Sequence, residues 1–83
     1  MTQIRVHCLG VFREIGDGFD IEVPLCSVGA IRGAVADYLM HMGRYDLNDV
    51  LNRSVFAEDD ELLKDHMVIQ GSVVSLLPPV AGG

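Results

Sequence analysis

Basic residues are scarce in this chain. Only six of its 83 residues are Lys or Arg, against twelve Asp or Glu, and the net charge is −6. The six (Arg5, Arg13, Arg32, Arg44, Arg53 and Lys64) are scattered rather than gathered into a stripe. A general nucleic-acid binder needs such a stripe to displace counterions from phosphate, so that class is excluded. Cysteine is also scarce: Cys8 and Cys26 form neither a CxxC pair nor a dense secreted framework. No apolar run approaches the roughly 20 residues of a membrane span. The opening MTQIRVHCLG lacks the long apolar core of an export signal. The expectation is a cytoplasmic protein, with no membrane partner and with both thiols free. Internal repeats, linkers and low-complexity segments are absent as well.

What is present is apolar. Nearly half the residues, 49%, are hydrophobic, too many for a disordered chain. Eighty-three residues make one domain of modest stability. IRVHCLGVF alternates, with Ile4, Val6 and Cys8 on one face and Arg5, His7 and Leu9 on the other, as a half-buried strand does. The Gly-Asp-Gly of REIGDG predicts a short turn into a second strand, FDIEVPL, closed by Pro24. Ser27 is placed to cap a helix on which Val28, Ile31, Val35, Tyr38, Leu39 and Met42 form one stripe, ended by Gly43. Gly29 and Gly33 lie in that helix, where close packing against a sheet is one use for them. Asp46 is expected to cap a short turn of helix whose Leu47, Val50 and Leu51 share a face. SVFAEDDELL reads as a short hairpin with an acidic tip, and Met67, Val68 and Ile69 are expected to tuck under the domain. VVSLL reads as a buried strand between Gly71 and Pro78.

One amphipathic helix covers one face of one sheet. The first and last strands, both apolar-rich, are the natural central pair, parallel and joined through a crossover that contains the helix. The expected fold is therefore α+β, a ubiquitin-like β-grasp. It has a mixed four- to five-stranded sheet and one main helix packed on one face. Residues 1–77 form the domain, and 78–83 form an extended tail.

That tail, PPVAGG, is chemically pointed. Pro78 and Pro79 have no N–H to donate, so the sheet stops there, and their fixed φ favours an extended stub. Six residues at about 3.3 Å each reach up to about 20 Å, enough to thread a channel in another protein. Gly82 and Gly83 carry no Cβ, so channel walls can approach the backbone and a nucleophile can reach the last carboxylate unhindered. A stiff base with a slim tip suits the presentation of a carboxylate.

Three stretches carry a family resemblance. FREIG, with Arg13, Glu14 and Gly16, is similar to a FAxxRExxG pattern after the first strand. CSVGAIRGAV sits where that family opens its helix, and GSVVSLLPPVAGG resembles the closing GDEVAxxPPVSGG. The family is the MoaD/ThiS group of ubiquitin-like sulfur carriers, and the likeness is strongest to its molybdopterin synthase small-subunit branch. Ser72 and Val73 depart from the usual Asp-Glu, Ala81 from a common Ser or Thr, and EDDELL is more acidic than the family's hairpin.

The resemblance implies a chemistry centred on Gly83. A MoeB-like, E1-like activating enzyme, using ATP and magnesium, would adenylate its carboxylate, and sulfur transfer would then give a C-terminal thiocarboxylate. The large subunit of molybdopterin synthase (MoaE-like) would hold the tail and supply catalysis. Two transfers to cyclic pyranopterin monophosphate would build a dithiolene in molybdenum cofactor biosynthesis. The chain alone would be no enzyme, would bind no cofactor, and would be a monomer that forms a heterotetramer with the large subunit. Two alternatives use the same tail: a ubiquitin-like modifier joined to lysines, and a carrier for thiazole or another sulfur-containing metabolite.

Partner-binding residues are expected along the tail, at Pro78, Pro79, Val80, Ala81 and Gly82, and beside it. If the first and last strands pair, Leu9 and Leu77 form an exposed apolar patch next to the tail, the alternative being that both are core. A metal site is not expected, since His7, His41 and His66 match no zinc spacing with the cysteines. His41 at a helix end complements the helix dipole. Cys8 reads as a small core residue rather than a nucleophile, and the Glu58–Glu61 run as a solvated turn.

Overall fold

The computed structural model describes residues 1–79. Five strands form one mixed sheet in the order β2-β1-β5-β3-β4. They are β1 (Thr2–Cys8), β2 (Gly18–Val23), β3 (Val55–Glu58), β4 (Glu61–Leu63) and β5 (Val73–Leu77). β1 pairs antiparallel with β2 and parallel with β5, so the first and last strands are the central pair. Two helices, α1 (Val28–His41) and α2 (Asp46–Asn52), fall within the crossover. This is the α+β, β-grasp arrangement.

The period-two pattern decides which face of the sheet is covered. Ile4, Val6 and Cys8 of β1, Phe19, Ile21 and Val23 of β2, and Val74 and Leu76 of β5 are all buried. Val28, Ile31, Val35 and Leu39, spaced by three or four along α1, pack into the core from the helix side. The Ser27 hydroxyl accepts from the Ala30 N–H at 3.2 Å, a cap that stabilises a helix start by about 1 kcal/mol. Gly43, at φ 74°, takes the chain out of the helix. Tyr38 is half-buried and stacks on Phe19 with centroids 4.1 Å apart, tying α1 to β2, while Met42 is exposed.

The connections depart from expectation in several places. The first strand ends at Cys8, and Gly10–Ile15 forms a 3-10 helix rather than a simple hairpin turn. Gly10 at φ 57° breaks the strand, and Phe12 then drops fully into the core. Asp46 does not cap α2; it opens the helix, and its carboxylate binds the Arg44 guanidinium at 3.0 and 3.1 Å. Leu47 and Leu51 are buried as expected, with Val50 half-buried. Ile69 is buried, but Val68 is 58% exposed, because the bridge between Ser27 and Val68 turns its side chain outward. Gly29 and Gly33 do not pack on the sheet. A Cβ on Gly29 would meet only the Asp65 carbonyl, and one on Gly33 would meet open space.

One arginine joins these connections. The Arg32 guanidinium donates to the Leu51 and Ser54 carbonyls and forms a two-point pair with Asp65 at 2.8 and 3.1 Å. It also lies 5.2 Å from the Phe56 ring centroid. A single planar fork thereby ties α1, the end of α2, β3 and the loop after β4, a task a lysine could not perform with its single ammonium.

Candidate functional site

The helices leave the other face of the sheet open. His7 of β1, Ser75 of β5, Ala57 of β3 and Leu62 of β4 form one row across it by strand register. Arg5 and Val73 form the row towards the start of β5, and Leu77 and Val55 the row at its end. Val55, Leu62 and Val73 on this face are apolar and exposed.

Leu9 and Leu77 belong to this open face. Cys8 pairs with Leu76 in the parallel ladder, and both point inward and are buried. The residue after each therefore points outward. Leu9 retains extended backbone and is 41% exposed; Leu77 is half-buried beside Val55. Neither belongs to the buried core. Both sit at the end of the sheet from which the chain leaves β5.

The exit itself is built from two elements. β5 ends at Leu77, and Pro78 follows half-buried with Pro79 exposed. Pro78 lies over Gly10, at the start of the 3-10 helix. That helix is held from below by Phe12 and from the side by Glu14, whose carboxylate accepts from Arg44 at 2.9 Å. Val80, Ala81, Gly82 and Gly83 lie outside the described residues.

Charge surrounds the open face on one side. Asp59, Asp60 and Glu61 at the β3–β4 turn are exposed, as the run of carboxylates predicts. Glu58 is different. Its carboxylate accepts from the backbone N–H groups of Gln70 and Gly71, closing the loop that feeds β5. Asp59 at φ 56° makes the tight turn. Nothing in the residue order signals the Glu58 bond, because its partners are backbone groups a dozen positions away.

The remaining candidates are structural. Burial pushes the Cys8 thiol up, with Arg5 opposing and Asp17 adding to the rise, so it stays protonated and acts as a core side chain. Cys26 is half-buried, and both thiols are unpaired. The His41 ring nitrogen Nδ1 lies 2.8 Å from the Asp37 carbonyl in the last turn of α1. Among the described residues no three His, Cys, Asp or Glu side chains converge as a metal site would require.

No family model and no curated protein matches the chain. Solved structures do. SAMP1 from Haloferax volcanii superposes with a TM-score of 0.66 at 17% identity, over 98% of this chain and 99% of that one. A chain from the complex of subunits 1 and 2 of molybdopterin-converting factor from Helicobacter pylori 26695 superposes with a TM-score of 0.61. The identity there is 24%, over 99% of this chain and 100% of that one. The likeness spans whole chains, and it shows the shared fold.

Proposed function

We propose that this chain is a sulfur carrier, the small subunit of a molybdopterin synthase, working in the cytoplasm through a thiocarboxylate at Gly83. The observation that carries this reading is the junction of an apolar open sheet face with the exit of a Pro-Pro-Val-Ala-Gly-Gly tail. The whole-chain likeness to a molybdopterin-converting factor subunit supports it.

The proposed chemistry is one that a terminal glycine carboxylate can undergo. In the first step a Gly83 carboxylate oxygen attacks the α-phosphorus of ATP on an E1-like enzyme, and pyrophosphate leaves. A sulfide-level nucleophile then attacks the acyl carbon, and AMP leaves, giving –C(=O)–S⁻. The large subunit receives the tail. The thiocarboxylate sulfur bonds to a carbon of the pterin precursor and displaces an oxygen leaving group there. Water then cleaves the C(=O)–S bond, leaving the sulfur on the precursor and restoring the Gly83 carboxylate. This chain supplies the reactive terminus and its docking face, while the catalytic groups belong to its partners. The open face with Leu9 and Leu77 meets the partner, and residues 78–83 enter its channel. The reading requires that the functional chain end at Gly83.

A second reading keeps the fold and changes the acceptor. The fold that the chain shares with SAMP1 from Haloferax volcanii serves equally a ubiquitin-like modifier whose Gly83 is joined to lysines. A carrier for thiazole or another sulfur-containing metabolite would use the same terminus. Intact mass after incubation with an activating enzyme, ATP, magnesium and sulfide tests the first reading. One oxygen replaced by sulfur in the wild-type chain, and no such product after deletion of Gly83, is the expected result. Gly-Gly remnants on target lysines, with no thiocarboxylate, would favour the modifier.

A further inference from the structure

We infer that Gly10 is a positioning residue for the tail: its bare Cα is the seat on which the Pro78 ring rests, and this seat sets the direction in which the tail leaves the domain. The inference rests on the carrier reading and adds to it a residue outside the tail.

The geometry is specific. A Cβ placed on Gly10 would lie 2.5 Å from Pro78 Cγ and 3.3 Å from Cδ, closer than side-chain carbons approach one another. The three heavy atoms nearest to that Cβ all belong to Pro78, so the Pro78 ring is the first thing a side chain at this position would strike. Gly10 also has φ 57°, where glycine is at ease. Pro78 in turn has a fixed φ and a rigid ring, so it cannot swing aside as a flexible side chain would.

The seat is anchored to the core. Gly10 opens the 3-10 helix that Phe12 pins from within and the Glu14–Arg44 pair holds from outside. Pro78 is the first residue after β5, so the strand and the seat grip the chain at consecutive positions. Five residues follow Pro78. A chain of that length reaches up to about 16 Å from Pro78, so the direction given at that base sets where the reach begins. A misplacement of about 1 Å at a reacting group can cost about a hundredfold in rate. A side chain at Gly10 acts on chemistry at Gly83 through this lever.

The test is a double-mutant cycle on the full chain: wild type, Gly10→Ala, Pro78→Ala and the double variant, with Gly10→Asn as a fifth protein. Asn tolerates positive φ yet carries a Cβ, so it separates backbone strain from the clash. Kinetics are read as thiocarboxylate formation with an activating enzyme, ATP and sulfide, and thermal unfolding is read on every variant. The expected result is a loss of about tenfold or more in kcat/KM for Gly10→Ala and for Gly10→Asn, chiefly through kcat. In the Pro78→Ala background, where the obstructed ring atoms are gone, Gly10→Ala should cost little more. Wild-type kinetics in both Gly10 variants would overturn the inference, as would an equal loss in both backgrounds, which would mean strain or a direct partner contact.

An arm without enzymes keeps the two proposals apart. Nuclear Overhauser contacts between the Gly10 α-protons and the Pro78 ring should be present in the wild type and absent in Gly10→Asn. If those contacts appear but the wild-type chain never accepts sulfur, the carrier reading fails and the seat stands. If the wild type accepts sulfur and the contacts are missing, the seat fails alone.

Discussion

Leu76 and Leu77 are neighbours in one strand and have opposite tasks. Leu76 points to the helices, is fully buried and pairs through the backbone with Cys8 and Phe56. Leu77 points to the open face, half-exposed, beside Val55 and one residue before the tail. The same side chain, turned through the pleat, is core on one side and surface on the other. The inner leucine holds the fold together, and the outer one lies on the face proposed to meet a partner.

The sharpest way to break this contrast is to truncate the inner leucine. Leu76→Ala should lower the free energy of unfolding by about 3 kcal/mol, from lost burial plus the cavity left behind, as read by urea denaturation. Arg32→Met should come next, at about 2 kcal/mol. It withdraws charged donors from the Leu51 and Ser54 carbonyls and leaves Asp65 without its partner. Asp65→Asn should cost only about 0.5 kcal/mol near neutral pH, because the Asp65 side chain is 57% exposed and its ion pair is screened.

Asp65 also predicts a pH dependence. The hydrogen bonds from Arg32 hold its carboxyl below the usual range, against a smaller opposing desolvation. A lowered folded-state pKa means that the unfolded chain binds the proton more readily. The stabilisation is therefore complete above the ordinary Asp value of about 3.9 and is lost as pH falls through the lower folded value. Unfolding curves taken between neutral and acid pH should show this limb in the wild type and a shallower one in Asp65→Asn. An unchanged slope would mean that the pair contributes nothing.

Leu77→Asp should disturb the fold least, by less than about 0.5 kcal/mol. Its effect belongs to the other side of the comparison: binding to a molybdopterin synthase large subunit should be abolished while circular dichroism stays unchanged. Loss of the fold would show that Leu77 is core and that the open face has been misread.

The elements with simple periodicity were legible in the sequence. Alternation along Ile4, Val6 and Cys8, the three- and four-residue steps of Val28, Ile31, Val35 and Leu39, and the Ser27 cap all report local geometry. The β1–β5 pairing followed from which strands were most apolar. The 3-10 helix was not legible, because VFREI carries no simple period and its conformation is set by Phe12 finding the core. Asp46 looked like a cap because the competing Arg44 salt bridge is a matter of side-chain geometry. Val68 was misplaced for a similar reason, since a single bridge to Ser27 decides which of three consecutive apolar residues turns in. Of the site, the tail is readable as a motif, while the alternation alone leaves Leu9 and Leu77 open between an exposed patch and the core. Gly10 was not singled out, since its meaning lies in a contact with a residue 68 positions later.

The most direct test uses the chain recovered from its own cells under sulfur-replete growth. The account predicts a species that ends at Gly83 with one terminal oxygen exchanged for sulfur, retarded on gels containing an organomercury reagent and returned to normal mobility by hydrolysis. Recovery of only unmodified carboxylate under those conditions, or of a chain that continues past Gly83, would contradict it.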